Sequence, residues 1–434
     1  MKNFDLYKYT SIFLIVLAVS SYFVGFYLNE NSAGSGSFDG DFGHIWRNLY
    51  LFVNNDINSS LNHPDYHDSR LPASYLMHEF LNPFIETKIG FRRSVFIISL
   101  LLPFLFFLSL KQKFKQTDNL LLLLVSSVVF ISPYFRTSAF WGLQENYGLI
   151  FLLLSFLSLN YFLNTQDVKN YKIFLKISLV TFFSSFCFYF DQKLLIIPLL
   201  CFFQIMMSSK SLNLKILTIF FYFMFSLPYI YLIILWGSLI TPAASDVNNL
   251  GGKLFSYNIG YTITIIAFYI FPILFFLEKN ILIQIKDFFL NKKNYYLLLI
   301  FIIYIIYFLN FINIENLPIL GKGIIYKLSL VLFDKKLLQE IFTYFSFFAA
   351  SIFLLIFLNR NLKNILILLY FLLLSAVMAY TLQEYFDPLV ILMAFTFFNS
   401  KIIINYKNSM ILYIYAVILL IGSNIYYANN LVNY

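Results

Sequence analysis

Tyr9-Thr10-Ser11-Ile12-Phe13-Leu14-Ile15-Val16-Leu17-Ala18-Val19-Ser20-Ser21-Tyr22-Phe23-Val24-Gly25-Phe26-Tyr27-Leu28 runs for 20 residues without a charge. As a helix rising 1.5 Å per residue it is about 30 Å long, the thickness of a hydrocarbon core. The stretch is too long for a signal-peptide core and no convincing small-residue cleavage site follows it, so it reads as a retained span. After it comes a hydrophilic segment, residues 29–93, that holds all four histidines and eight of the 21 acids. Beyond residue 93 the chain is mostly Phe, Leu, Ile and Tyr in long apolar runs.

Composition agrees with that opening. The chain is 434 residues, 60% hydrophobic and only 12% charged. Apolar runs of about 17 residues recur without the alternation of a barrel strand. The expectation is an all-α polytopic membrane protein, a single transmembrane domain over 1–434. Cys187 and Cys201 lie in apolar stretches and imply no disulfide framework. A net charge of +9 would suggest nucleic acid in a soluble protein; here its placement reads as topology, with the lipid bilayer as partner and no nucleic acid.

Thirteen spans can be placed, at 9–28, 94–110, 119–134, 147–163, 173–190, 194–207, 216–236, 257–277, 295–313, 337–358, 364–382, 386–399 and 409–426. The connections between them alternate. One set is short and basic and, with Lys2, Lys8 and Lys176 near the start of a span, holds 18 of the 30 basic residues; the other carries 16 of the 21 acids, counting Glu340 and Asp387 near the starts of spans. The positive-inside rule puts the basic set in the cytoplasm. The N-terminus is then cytoplasmic, while the 29–93 loop and the C-terminus are extracytoplasmic, as in a multi-pass protein of a bacterial inner membrane.

The loop concentrates the chemistry. Asn31–Ser37 is rich in Gly and Ser and lets the chain turn off the membrane. Ser37-Phe38-Asp39-Gly40-Asp41-Phe42-Gly43-His44 follows, with two carboxylates on irregular backbone. Like charge and partial burial would suit one of them to accept a proton from a sugar hydroxyl; the competing reading is a solvated turn capping a helix from Ile45. Asn62-His63-Pro64-Asp65-Tyr66-His67-Asp68-Ser69-Arg70-Leu71-Pro72 is the second polar stretch. His63 and His67, four apart, would hold a divalent cation with Asp65 or Asp68 on a helical turn, but prolines at both ends favour a hydrogen-bonded loop or a substrate contact. Arg70 suits a phosphate, which a guanidinium grips bidentately. Leu71–Phe84 reads as a short helix in the interface.

Smaller outer features follow. Arg136, Trp141 and Glu145 lie after span three, and Asp191 and Lys193 form a turn between spans five and six. The loop from Asn316 to Lys336 carries Lys322, Lys327, Lys335 and Lys336 with Gly321 and Gly323, which suits an anionic head group. Gln383-Glu384-Tyr385-Phe386-Asp387-Pro388 separates two late spans.

This pattern resembles the GT-C superfamily of membrane glycosyltransferases. In that family the loop after the first span bears an acidic motif that supplies the catalytic base, and a proline-containing segment leads into interface helices. Phe38-Asp39-Gly40-Asp41-Phe42-Gly43-His44-Ile45 stands at the first place and Arg70-Leu71-Pro72-Ala73-Ser74-Tyr75-Leu76 at the second. Glu145-Asn146-Tyr147-Gly148-Leu149 resembles the family's polar helix entry, and Tyr385-Phe386-Asp387-Pro388-Leu389 its late Arg-Tyr-x-x-Pro. The resemblance implies transfer of a sugar from a polyprenyl-phosphate donor to a glycan or lipid acceptor. Asp39 or Asp41 would be the base. Arg70, His44, His67, Asp68, Glu145 and Glu384 would contact substrate or phosphate. Glu384 stands where the family more often has arginine, so the phosphate role passes to Lys322 or Lys327. No cofactor is implied with certainty, a divalent cation being the one open possibility. Two other polytopic classes compete: an O-antigen or capsule polymerase of the Wzy type, and a lipid-linked oligosaccharide flippase or transporter.

Overall fold

A computed structural model describes residues 2–34, 36–37, 40–164, 170–208, 211–239, 241, 254–292, 294–311 and 321–430. Among them the chain is helical, and its only β feature is an isolated antiparallel bridge between Leu277 and Ile402. Two compact units divide it: Met1–Asn248 with Ala416–Tyr434, and Asn249–Tyr415.

The first unit begins with α1 (Lys2–Tyr27) and continues through the loop helices α2 (Asp41–Asn54), α3 (Ile57–Leu61) and α4 (Ala73–Leu81). α5 (Lys88–Ser99) and α6 (Leu101–Lys113) form one nearly continuous rod, begun by the Thr87 side chain accepting from the Gly90 N–H. α7 (Asn119–Ser127) and α8 (Pro133–Trp141) follow, with a 64° bend between them. Ser132 caps α8, Pro133 takes its first position and Gly142, at φ 72°, ends it, so both limits of this short helix are written locally. α9 (Glu145–Asn164), α10 (Asn170–Phe190), α11 (Ile196–Ser208) and α12 (Leu212–Trp236) complete the unit with the C-terminal part of the last helix.

In lipid the hydrophobic effect does little to bring helices together, and packing and buried polar contacts take over. Aromatic rings do much of that packing here. Tyr22 of α1 sits among Phe96, Phe130, Phe135 and Phe140, its ring centroid 5.0–5.5 Å from each of theirs. Phe151 of α9 stacks on Phe186 and Phe190 of α10. α12 instead leaves Ile216, Phe220, Phe223 and Ile234 exposed, a face that only lipid would cover.

The second unit holds α13 (Tyr257–Ile270), α14 (Ile281–Leu290), α15 (Asn294–Phe311), α16 (Gly323–Leu332), α17 (Lys336–Leu358), α18 (Leu362–Val377), the short α19 (Leu389–Phe395) and the start of α20 (Tyr406–Asn430). Its core is Tyr261, Phe301, Phe308 and Phe347. Gly260 makes that packing possible, since a Cβ there would come within 2.4 Å of the Phe347 ring.

Among the described residues eight helices are long and apolar enough to cross a membrane, or up to ten if each bent pair is one crossing. The chain is therefore read as a multi-pass membrane protein. Three more apolar helices, Gln192–Ser208, Gly323–Leu332 and Leu362–Val377, are shorter. Two expected spans look different in the structure. The one at 119–134 is the bent α7–α8 pair. The one at 386–399 contains only the seven-residue α19, about 10 Å long. All seven of its side chains are buried within the unit. The loop expected to run to residue 93 ends at Thr87, where α5 begins.

Candidate functional site

The loop leaves α1 from a fixed anchor. Arg136, buried on α8, donates from Nε to Glu30 at 2.8 Å and from its Nη atoms to the backbone oxygens of Ser21 and Phe130. Arg92 donates to the Phe140 carbonyl and the Asn29 side chain, both at 2.6 Å, and lies over the Trp141 ring. Trp141 itself donates to the Glu30 carbonyl at 2.9 Å. These two arginines lie in helices that belong to the membrane set, and each is satisfied there by acceptors from the end of α1. Gly36 then passes so close to Trp141 that a Cβ would meet the indole at 2.1 Å.

Past that point Gly40 donates its N–H to the Ser37 hydroxyl at 2.7 Å, and Asp41 opens α2. Asp41 is exposed in the first turn, where the positive end of a helix favours a carboxylate anion. Asp39, its expected partner, lies outside the described residues. α2 is amphipathic: Phe42, Ile45, Leu49 and Phe52 are buried at helical spacing, and Asn48 is buried beside them. α4 contributes Ser74, Tyr75 and His78 as its buried side.

Between these helices Asp68 is buried and fully engaged. It accepts from the Arg70 N–H at 2.9 Å, the Gln144 side chain at 3.0 Å and the Tyr75 hydroxyl. Asn48 donates to Tyr75 and to the His67 carbonyl, both at 3.3 Å, and lies 3.3 Å from His44 Nε2. Thr241 donates to the Asp68 carbonyl. Beside this network Arg70 forms an ion pair with Glu145, which opens α9, and Gln192 donates to the Ser69 carbonyl at 3.2 Å. Lys193 and Asp191 pair at 3.3 Å on the same turn. Four segments far apart in sequence thus meet: the first loop, the start of α9, the 191–193 turn and the end of α12. All four fall in the acid-rich set of connections.

The electrostatics follow from burial. Tyr66 and Tyr75 are pushed well above the ordinary phenol range by desolvation and by the Asp68 charge. Burial works against the Arg70 charge, but Glu145, Asp68 and Asp191 outweigh it and hold the guanidinium above its usual range. His78 is pulled down to about 4 by burial, with its Nε2 2.7 Å from the Tyr147 hydroxyl. Ten buried side-chain polar atoms find no hydrogen-bond partner among the described residues, and four of them belong to this region: Gln144 Oε1, Glu145 Oε2, the Tyr66 hydroxyl and the Ser74 hydroxyl. All four are acceptors or hydroxyls close in sequence to Asp68, Arg70 or Glu145, an arrangement suited to a ligand rich in O–H donors.

The expected residues separate accordingly. Asp68, Arg70 and Glu145 come together, 75 residues apart in the case of the ion pair. His44 and His67 approach to a 5.9 Å centroid distance, bridged by Asn48. His63 faces Asp65 instead, accepting the Asp65 N–H at 3.1 Å. Among the described residues no three His, Cys, Asp or Glu side chains gather as a metal site. Arg70, expected to face phosphate, gives one nitrogen to Glu145, because that carboxylate is buried beside it.

Lys322, Lys327 and Glu384 belong to the second unit. Gly321, Lys322 and Gly323 are three successive left-handed residues, at φ 88°, 65° and 73°. Lys322 is buried, its ammonium 4.2 Å from the Tyr326 ring centroid and 5.8 Å from that of Tyr261, with no carboxylate partner among the described residues. Burial pulls it down to about 8. Its N–H donates to the Thr381 carbonyl at 2.9 Å, and Gln383 ties the same loop to Tyr269. Glu384 sits half-buried on the adjoining turn, and Lys327 half-buried on α16.

Asn48, Tyr66, Tyr75, Gln144 and Thr241 were not legible as site residues. They are uncharged, and only the fold brings them to Asp68. Compared with protein families, curated proteins and solved structures, the chain matches none.

Proposed function

We propose that this protein is a membrane glycosyltransferase of the GT-C type, moving a sugar from a polyprenyl-phosphate donor to a lipid-linked glycan or other acceptor. The observation that carries the reading is the buried group around Asp68, Arg70 and Glu145, with its orphan acceptors, built in part from the same loop that carries the exposed Asp41. A sugar presents many O–H donors, and such acceptors would orient it. Asp39 or Asp41 takes the acceptor's hydroxyl proton as that oxygen attacks C1. The C1–O bond to phosphate breaks, and polyprenyl phosphate leaves with the electron pair. Inversion at C1 follows from direct displacement. Arg70 meets the developing phosphate charge, the kind of stabilisation that dominates such reactions. In the second unit Lys322, with no carboxylate partner among the described residues, and Lys327 are candidate cations for a phosphate, with Glu384 a candidate substrate contact.

In this reading the chain lies in a bacterial inner membrane with its N-terminus cytoplasmic and the 29–93 loop outside. Thirteen passes would require Gln192–Ser208, Leu362–Val377 and the α19 segment each to cross in addition to the ten longer candidates. The test is genetic: Asp39→Asn and Asp41→Asn are expressed in place of the wild type and the cell-surface glycans compared. At least one variant should insert normally and lose a glycan. Normal glycans with both, or accumulation of donor on the cytoplasmic side alone, would favour a polymerase or flippase.

A further inference from the structure

The second unit contains a cavity of about 730 Å³ that the transfer reaction does not use. Much of its lining is apolar, Phe301 and Leu372 included. Ile300 and Leu369 also line it and are themselves exposed, so the wall opens where lipid would be. Its charged lining consists of Lys279, Arg360 and Lys401 with Glu278 and Asp287. Lys279 is neutralised by Asp287 at 2.9 Å. That leaves two cations against one acid.

Arg360 is placed there by an unusual turn. Asn359 and Arg360, between α17 and α18, are successive non-glycine residues in the left-handed region, at φ 45° and 55°. Each such residue is strained, and strain of this kind persists where the surroundings require it. The guanidinium gives one N–H to Asn294, itself buried, at 2.7 Å. A guanidinium has five, and no other hydrogen-bond partner for Arg360 occurs among the described residues. Asn294 is in turn fixed by donating to the Phe288 carbonyl at 2.8 Å.

We propose that this cavity binds an anionic phospholipid, with its phosphate between Arg360 and Lys401 and an acyl chain against Phe301 and Leu372. The volume falls within the range of roughly 300–1,000 Å³ usual for small-molecule sites, enough for a head group and the upper part of a chain. Basic pockets between membrane helices recognise lipid phosphates by this combination of cation and apolar wall. A free phosphate would use the cations but not the wall, and a zwitterionic lipid the wall without the net charge.

The experiment is native mass spectrometry and thermal unfolding of the full chain in mixed micelles. Phosphatidylglycerol, phosphatidylcholine with the same chains, and glycerol phosphate are compared as probes. The wild type should retain phosphatidylglycerol and melt higher with it, and neither control should do so. Arg360→Gln with Lys401→Gln should weaken the phosphatidylglycerol preference about 30-fold, two cations at roughly 1 kcal/mol each. Arg360→Lys with Lys401→Arg should restore most of it, which separates lost charge from lost folding. Equal retention of the two lipids, an equal effect of glycerol phosphate, or a preference unchanged in the Gln variant would each overturn the proposal.

Discussion

Cutting the Arg70–Glu145 pair tests the buried group most sharply. The side chains retain 27% and 13% of their exposure, so the pair is neither a surface bridge nor a sealed one. Exposed pairs contribute about 0–1 kcal/mol, whereas stranding one partner of a sealed pair costs about 3–5 kcal/mol. Each residue here also has a second opposite charge to fall back on: Lys193 for Glu145, and Asp68 and Asp191 for Arg70. Arg70→Met and Glu145→Gln should therefore each destabilise by about 2 kcal/mol. The double variant strands neither charge, so it should fall short of the sum by about 1–2 kcal/mol. The assay is reversible unfolding in mixed micelles, with all four proteins at one lipid composition. Singles that sum to the double within about 0.5 kcal/mol would mean that the two groups do not interact, and the site would have to be redrawn.

His78 gives a pH dependence whose sign can be fixed in advance. Its folded value, about 4, lies below the ordinary 6.5, so the unfolded chain binds the proton first as pH falls. Stability should be unaffected by this group above about pH 6.5 and decline by roughly 3 kcal/mol toward pH 4. His78→Gln should flatten that slope in unfolding measured from pH 4.5 to 7.5, and an unchanged slope would refute the assignment. Lys322 should behave as a functional expense: burial of its charge is unfavourable, so Lys322→Met should leave the protein as stable or up to about 1–3 kcal/mol more stable while raising the donor KM. A clear loss of stability with unchanged KM would make it structural.

The helical membrane class was legible because bilayer length and charge exclusion leave direct marks on sequence, as in residues 9–28. The first loop was legible for the same reason, being where the charges collect. The pairing inside it was not. Arg70 and Glu145 were both visible as polar groups at the surface, but nothing local says that a guanidinium will meet a carboxylate 75 residues away. Asn48, Tyr75 and Gln144 give no signal at all, since amides and phenols occur anywhere in such a chain. At 386–399 the sequence could not foresee that the seven residues of α19 are buried by protein, because a run buried by protein is as apolar as one that lipid covers.

The central claim is that this loop performs sugar transfer, and its direct measurement is release of polyprenyl phosphate from a polyprenyl-phosphate sugar by the purified protein with acceptor present. Wild type should release one polyprenyl phosphate per sugar moved. Asp39→Asn or Asp41→Asn should reduce the rate by about 10²–10⁴, because asparagine keeps the size of the side chain but takes no proton at neutral pH. Near-normal release by both Asn variants, or by the two combined, would contradict the account.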